Sequence, residues 1–346
     1  MLGEGLGGIE FAFTRYALAL KSVGFTVKCC IAKDAAIAAH LDKDTPLAVL
    51  PNLSQFDPVA IWRVSRLILR WRPDLILVHG KRAHRIFSLA QWLFGKKAPV
   101  VKVLHRPRFN HLATADHVIT VTRQLAEQVA AHGVLAKNVT HIPNFLTATP
   151  PLLPSRPWQA VPVIGLLCRL VPEKGVDLFL EAAAILQRRG QVFTVKIGGD
   201  GALANSLRDR AQALGIGDLI DWAGWVDDSH AFFDSIDIFC LPSRAESFGL
   251  VVIEAMAHSK LVVSTKTSGP LELITDRING LLCDIAPESL ADALAYALEN
   301  PGRSATMAQQ GHAESTRYQL SAVVPEIARL LGDVHQNFLA RAHKTS

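Results

Sequence analysis

The sequence predicts an α/β protein built from two Rossmann-like parallel-sheet domains, and three observations carry that prediction. Its 346 residues exceed what one hydrophobic core usually organises. Short apolar runs alternate with amphipathic segments along the whole chain, the pattern of parallel strands joined by crossover helices. A proline-rich stretch over 143–157 interrupts that alternation near its middle, and neither a helix interior nor a central strand tolerates prolines at this density. The expected division is a first domain over 1–148, a linker over 149–160, a second domain over 161–320 and a C-terminal helix over 321–346 that packs back toward the first domain.

The elements follow in order. Ile9, Phe13, Tyr16 and Leu20 share one face of an opening helix that stops at Gly24. Strands are expected at 25–32, 75–79, 100–105, 117–121 and 139–142, each a short apolar run. Within 58–72, helical spacing puts Arg63, Arg66 and Arg70 on one face, with Trp62 among the neighbouring apolar residues. Such a helix either covers the sheet and turns a solvated arginine face outward, or lies in the headgroup layer of a membrane. In the second half, strands are expected at 163–168, 193–197, 236–241, 261–265 and 280–283, separated by helices such as 175–187 and 287–299.

A hydrophobic content of 49% and a charged content of 19% describe an ordinary globular chain and argue against disorder. The net charge of +5 is unevenly spread: residues 1–150 hold 19 Lys and Arg against 9 Asp and Glu, and the remainder 17 against 22. The first half therefore prefers anionic partners. With 7% aromatics and no nucleic-acid module, an anionic membrane surface or a phosphorylated glycolipid fits better than nucleic acid. Lys81, Arg82, Arg85, Lys96, Lys97 and Lys102 add to this basic half. No run has the length of a membrane-spanning helix and no apolar leader opens the chain, which predicts a cytoplasmic protein, at most held to the inner face of the cytoplasmic membrane. The five cysteines show no C-x-x-C spacing and are expected to be reduced core residues; without a secretory signal, the sequons at Asn52 and Asn138 carry no weight.

The segment from Glu246 to Glu254 is the most informative. It follows a buried-strand pattern over 236–241 and a Pro242-Ser243-Arg244 turn, and from Gly249 onward it reads as a helix with Leu250, Ile253 and Ala257 on one face. Two carboxylates beside a helix N-terminus suit a sugar attached to a phosphate, because the unpaired N–H groups and positive dipole end favour the phosphate while the carboxylates accept from sugar hydroxyls. A capping carboxylate and a solvated helix glutamate would show the same spacing. Arg169 and Lys174 stand at another strand-to-helix junction and suit phosphate charge, though surface cations at a turn would look alike. Gly198-Gly199-Asp200-Gly201 is a glycine turn, and Ser268-Gly269-Pro270-Leu271-Glu272 a strand-to-helix turn. Two patterns mislead. Gly3-x-Gly5-x-x-Gly8, with Asp34 downstream, matches a dinucleotide fingerprint but lacks the strand that should precede it. Asp42-Lys43-Asp44 matches a metal-binding pair, yet its central lysine would oppose a cation, so no metal is expected.

Taken in chain order, the elements at Arg169 to Gly175, Gly198 to Gly201, Glu246 to Glu254 and Ser268 to Glu272 resemble the signatures of the family 4 retaining glycosyltransferases (glycosyl transferases group 1), which have the GT-B architecture of two Rossmann-like domains facing a central cleft. The resemblance is dense from Gly165 to Leu282. It implies that Arg169 and Lys174 hold the diphosphate of a nucleotide sugar, that Glu246 orients the sugar hydroxyls, and that Glu254 takes the ribose hydroxyls. Ser247, Phe248, Gly249, Leu250 and Gly199 then line the donor, and Gly7 and Gly8 form a loop near its phosphate. His105 resembles the histidine of the reaction centre, while a histidine closing a strand also serves as hydrogen-bonded structure. Asp116, Thr122, Pro143 and Asn144 fit framework positions. One departure stands out: family members open with a buried strand, and here only Met1 and Leu2 precede Gly3, so either the start is truncated or the first strand is missing. The implied activity is transfer of a sugar, with retention, from a UDP- or GDP-linked donor to a glycan or glycolipid acceptor such as lipopolysaccharide core, without cofactor or metal. A non-hydrolysing nucleotide-sugar epimerase of the same fold and a non-catalytic partner subunit are the alternatives.

Overall fold

The computed structural model describes residues 1–3, 7–51, 57–109, 111–147 and 158–344, with side chains described as far as Arg341. Asn52, Gly5 and most of the linker expected at 149–160 lie outside the described residues. The chain divides into two compact units, Met1–Thr147 with Leu320–Ser346 and Ala148–Gln319.

The first unit contains α1 (Gly8–Ser22), β1 (Cys29–Ala32), β2 (Leu47–Leu50), α2 (Pro58–Trp71), β3 (Ile76–His79), α3 (Lys81–Leu93), β4 (Val100–Leu104), β5 (His117–Thr120), α4 (Arg123–Ala131) and β6 (Val139–His141). All its ladders are parallel: β1 pairs with β2, and β3, β4, β5 and β6 follow in order. Every residue of β4 and β5 is buried, as expected of strands covered on both faces. Local chemistry sets the helix starts. The Asp57 carboxylate accepts from the N–H groups of Val59 and Ala60 at 2.9 and 3.0 Å ahead of Pro58, and Thr122 Oγ1 accepts from Leu125 N–H. Met1 and Leu2 are buried without forming a strand, and the Met1 ammonium donates to Cys30 O at 2.8 Å.

Sequence and structure differ in three places here. The first strand begins at Cys29 rather than residue 25, because Phe25 is exposed and the β2 register starts at Cys29 opposite Leu47. Strand β2 carries little signal, since it is four residues long and turns Leu47 and Val49 to solvent. Lys102 is no part of the basic surface; it lies inside β4, only 2% exposed. Helix α2 does bury Ala60, Ile61, Val64 and Ile68 while Arg63, Arg66 and Arg70 stay exposed.

The second unit contains β7 (Val163–Leu167), α5 (Val176–Arg188), β8 (Thr194–Gly198), α6 (Ala204–Ala213), β9 (Ile220–Gly224), α7 (Ser229–Asp234), β10 (Ile238–Leu241), α8 (Leu250–Ala257), β11 (Leu261–Thr265), α9 (Ser268–Leu273), β12 (Leu281–Cys283), α10 (Pro287–Glu299) and α11 (Pro301–Ser315). Its strands form one parallel sheet in the order β12-β11-β10-β7-β8-β9. Edge strand β9 escapes the sequence because Asp221 and Ala223 interrupt its apolar residues and face solvent. Helix α12 (Leu320–Lys344) returns to the first unit, where it packs on α1. All five cysteines are free.

Four imidazoles of the first unit, His79, His84, His105 and His117, are buried. Burial pushes His105 down to about 4 and His84 down to about 3, holds His79 well below the ordinary histidine range and lowers His117 as well. The folded rings therefore stay neutral while the unfolded chain takes up protons near its ordinary value of about 6.5. Their contribution to stability is complete above that value and is lost as pH falls toward the folded values. The expected outcome in a thermal melt is a level midpoint near neutrality that declines below about pH 6.5, by at most ~1.4 kcal/mol per pH unit for each ring. A midpoint unchanged down to about pH 5 would show that the rings titrate normally in the fold.

Candidate functional site

Strand order decides where the second unit can hold a ligand. Strands β8 and β9 lie on one side of β7 and β10, β11 and β12 on the other, so the loops leaving the carboxyl ends of β7 and β10 meet where the order reverses, the position at which open α/β sheets bind ligands. Residues 169–175 form the first loop and residues 242–249 the second.

Missing side chains let these loops touch. Gly175 has φ +64°, and a Cβ there would stand 2.0 Å from the Pro242 carbonyl oxygen. Arg244 N–H donates to Glu173 O at 2.9 Å, and the Arg244 guanidinium grips both oxygens of Asp177 at 2.7 Å, which holds that carboxyl below its ordinary range. On the other side, Gly199 has φ +124°, and a Cβ there would stand 1.9 Å from the Cys168 carbonyl oxygen. Cys168 N–H donates to Gly198 O and Leu170 N–H to Asp200 O, at 3.0 and 2.9 Å. What Gly199 approaches in this structure is thus its neighbouring loop.

On this frame Lys174 Nζ donates to Glu246 Oε2 at 2.5 Å, and both side chains are largely buried. Arg169 is exposed at the same strand end, with no side-chain partner among the described residues. Gly175 and Gly249, both with positive φ, are the N-caps of α5 and α8, and no side chain caps either helix, so first-turn N–H groups remain for an anion. Phe248 is buried and anchors the second loop; a Cβ on Gly269 would lie 2.1 Å from its carbonyl oxygen, and Gly269 N–H donates to Glu246 O at 3.0 Å. Ser247 and Leu250 are half-buried beside it, and Glu254 is half-buried in α8. Glu272 lies in α9. The structure therefore brings Arg169, Lys174, Gly199, Glu246, Ser247, Phe248, Gly249 and Leu250 to one sheet edge, with Glu254 a helical turn further on. Nothing in the sequence singles out Ser243 Oγ and Thr267 Oγ1, buried at the neighbouring loops without a hydrogen-bond partner among the described residues.

Gly7, Gly8 and His105 lie in the first unit. Gly7 is extended and caps α1, and Gly8 is the exposed first residue of that helix. His105 Nε2 lies 3.0 Å from His79 Nδ1, and the two rings stack with centroids 5.3 Å apart. Phe13 and Tyr16 of α1 meet His79 edge-on at 5.6 and 5.1 Å. As both imidazoles are neutral, one donates and the other accepts, which fixes the tautomer of His105 through His79. His79 is a residue that sequence reasoning missed; only its place at the end of β3, one strand over from His105, could have signalled it.

Asp34 sits in a left-handed turn after β1, and Asp42 pairs with Lys21 in an exposed loop, which lowers its carboxyl below the ordinary range. Among the described residues no group of three His, Cys, Asp or Glu side chains could hold a metal ion.

Two family models match the chain in order: "Glycosyltransferase Family 4" over residues 6–149 and "Glycosyl transferases group 1" over residues 158–314. The lipopolysaccharide core biosynthesis glycosyltransferase LpsE of Rhizobium meliloti is 28% identical over 72% of this chain and 73% of its own length. The alpha-D-kanosaminyltransferase of Streptomyces kanamyceticus is 30% identical over 50% of this chain and 46% of its own. Among solved structures, Anabaena Alr3699/HepE in complex with UDP-glucose superposes with a TM-score of 0.80 at 22% identity, over 96% of this chain and 98% of that one. The apo lipopolysaccharide outer core galactosyltransferase WaaB gives 0.78 at 17% identity, over 96% and 97%. These two likenesses establish the shared fold, and the matched family models together with the relatives establish the family: the chain belongs to the family 4 glycosyltransferases of GT-B architecture.

Proposed function

We propose that this glycosyltransferase moves a sugar from a nucleoside diphosphate sugar to a phosphorylated glycan or glycolipid, with retention of anomeric configuration. The observation that carries the proposal is the Lys174–Glu246 pair between the uncapped ends of α5 and α8. A diphosphate seated there takes charge from Lys174 and Arg169 and hydrogen bonds from first-turn N–H groups. Glu246, released from Lys174 or sharing it, accepts from sugar hydroxyls, and Glu254 accepts from the ribose. Ser247, Phe248, Gly249, Leu250 and Gly199 shape the donor pocket, while Gly7, Gly8 and His105 belong to the acceptor-side unit. In the transfer step the bond from the anomeric carbon to the diphosphate oxygen breaks, the acceptor oxygen bonds to that carbon on the same face, and the acceptor proton passes to the leaving phosphate. The chain supplies position and charge rather than a strong base, and the two cations stand where a metal ion or cofactor would otherwise be needed.

A uridine donor is supported by the Anabaena structures with UDP and UDP-glucose, and a lipopolysaccharide-type acceptor by the names of LpsE and WaaB. No helix among the described residues is long and apolar enough to cross a membrane. The exposed Arg63, Arg66 and Arg70, flanked by an exposed Trp62, suit peripheral contact with anionic lipid at the inner face of the cytoplasmic membrane.

Lys174→Ala and Arg169→Ala should each lower turnover about 10²-fold or more while the protein stays folded, the scale of losing one preorganised charge stabiliser. Wild-type turnover in both variants would remove the diphosphate assignment. Replacing Arg63, Arg66 and Arg70 together by Gln should weaken binding to anionic vesicles at low salt and leave nucleotide affinity unchanged. If sedimentation with vesicles is the same for the triple variant, α2 is only a cover for the sheet.

A further inference from the structure

The charge distribution of the first unit contains a site that the donor chemistry does not use. Lys102 is 2% exposed in the middle of β4, opposite Val78 of β3. No carboxylate and no hydrogen-bond acceptor pairs with it among the described residues, and it is within electrostatic reach of Lys81, the first residue of α3. Lys81 is half-buried and likewise has no carboxylate partner among the described residues. The helix that Lys81 opens starts at Gly80, with φ +83° and no side-chain cap, so its first-turn N–H groups are left without a side-chain acceptor beside Lys81. Four neighbouring residues, His84, Thr114, Arg85 and His111, supply no negative charge. Buried His84 bonds to the Thr114 hydroxyl at 3.2 Å, and the Arg85 guanidinium lies 2.7 Å from His111 Nε2. Burial, and then Lys81, push the Lys102 ammonium down to about 8, and His84 feels Lys102 and His111 as positive neighbours.

An unpaired buried lysine costs stability, because its ammonium group gives up hydration and no carboxylate among the described residues offsets the loss. Below its lowered value the folded protein holds a cation that the unfolded chain would hold more easily. Buried groups of this kind cluster at sites of binding and catalysis. Chemistry restricts the ligand: two ammonium groups and an open helix N-terminus match a phosphate, with its several acceptor oxygens and negative charge.

We propose that Lys81, Lys102 and the N-terminus of α3 form a phosphate-binding site in the first unit, which takes the phosphate of the acceptor. The site lies outside the unit that contains Arg169, Lys174 and Glu246, and it gives chemical content to the phosphorylated acceptor of the function proposed above, on which it rests.

The test uses the full chain carrying Lys174→Ala, which weakens phosphate binding at the donor loops. Inorganic phosphate should raise the melting temperature of this protein at constant ionic strength, by mass action on the folded state. Adding Lys102→Met or Lys81→Gln should weaken the phosphate response roughly tenfold or more, the loss expected for a charge-assisted hydrogen bond. Without phosphate, the Lys102→Met protein should melt at or above the temperature of its parent, since an apolar chain of similar length replaces an unpaired cation. A hexose phosphate compared with the free hexose and with inorganic phosphate separates the sources: a stronger response to the hexose phosphate identifies a phosphorylated acceptor, and an equal response identifies free phosphate as the ligand. A phosphate response unchanged in both lysine variants, or already absent in Lys174→Ala alone, overturns the site. Melting of Lys102→Met well below its parent also overturns it, by making Lys102 a packing residue. Binding of UDP by Lys102→Met on its own, compared with wild type, reports separately on the donor reading.

Discussion

The second unit depends on one steric constraint, the contact of a glycine with a carbonyl oxygen. Gly175 lets the β7 loop lie against Pro242, and any Cβ would stand 2.0 Å from that oxygen. A left-handed glycine is both sterically and conformationally required there. Because of this contact Lys174 reaches Glu246, α5 and α8 start side by side, and Arg244 can hold Asp177. The Lys174–Glu246 pair is then a stored polar group rather than a source of stability. Half-buried ion pairs recover little beyond the cost of desolvation, so an incoming diphosphate can take over Lys174 with a modest net penalty.

The first unit shows a different balance. It buries His79, His84, His105, His117 and Lys102 with few partners, although neutral imidazoles are far cheaper to bury than an ammonium group. The His79–His105 pair satisfies one nitrogen of each ring and is clasped by Phe13 and Tyr16, which ties the ring orientation at the end of β4 to the helix that begins at Gly8. Hydrogen bonding and a place beside the reaction centre are compatible for His105, because a fixed tautomer is what a positioned imidazole requires.

Much of this was legible in the sequence because parallel strands buried on both faces are continuous apolar runs. Ile238–Leu241 and Leu261–Thr265 could be read almost to the residue. The donor loops were legible for another reason: glycines and charged residues at strand ends have few structural uses, and four such groups occurred in order. What could not be read depends on three-dimensional neighbours. Strand β2 is short and half solvated, and β9 is an edge with Asp221 in its middle. Lys102 looks like any surface lysine until the register with Val78 and the cover of α3 place it inside. The mutual pairing of Lys174 and Glu246, two residues expected to face substrate separately, rests on a contact between loops 72 residues apart, which no local pattern encodes.

We propose that the Lys174 loop and the start of α8 receive the donor diphosphate. It is tested most directly by a crystal structure of the protein with a nucleoside diphosphate bound. The expected result is phosphate oxygens within hydrogen-bonding distance of Lys174 Nζ, of the Arg169 guanidinium and of first-turn N–H groups of α8, with the Lys174–Glu246 bond lengthened or broken. A nucleotide bound away from these loops, with that pair intact, would contradict it.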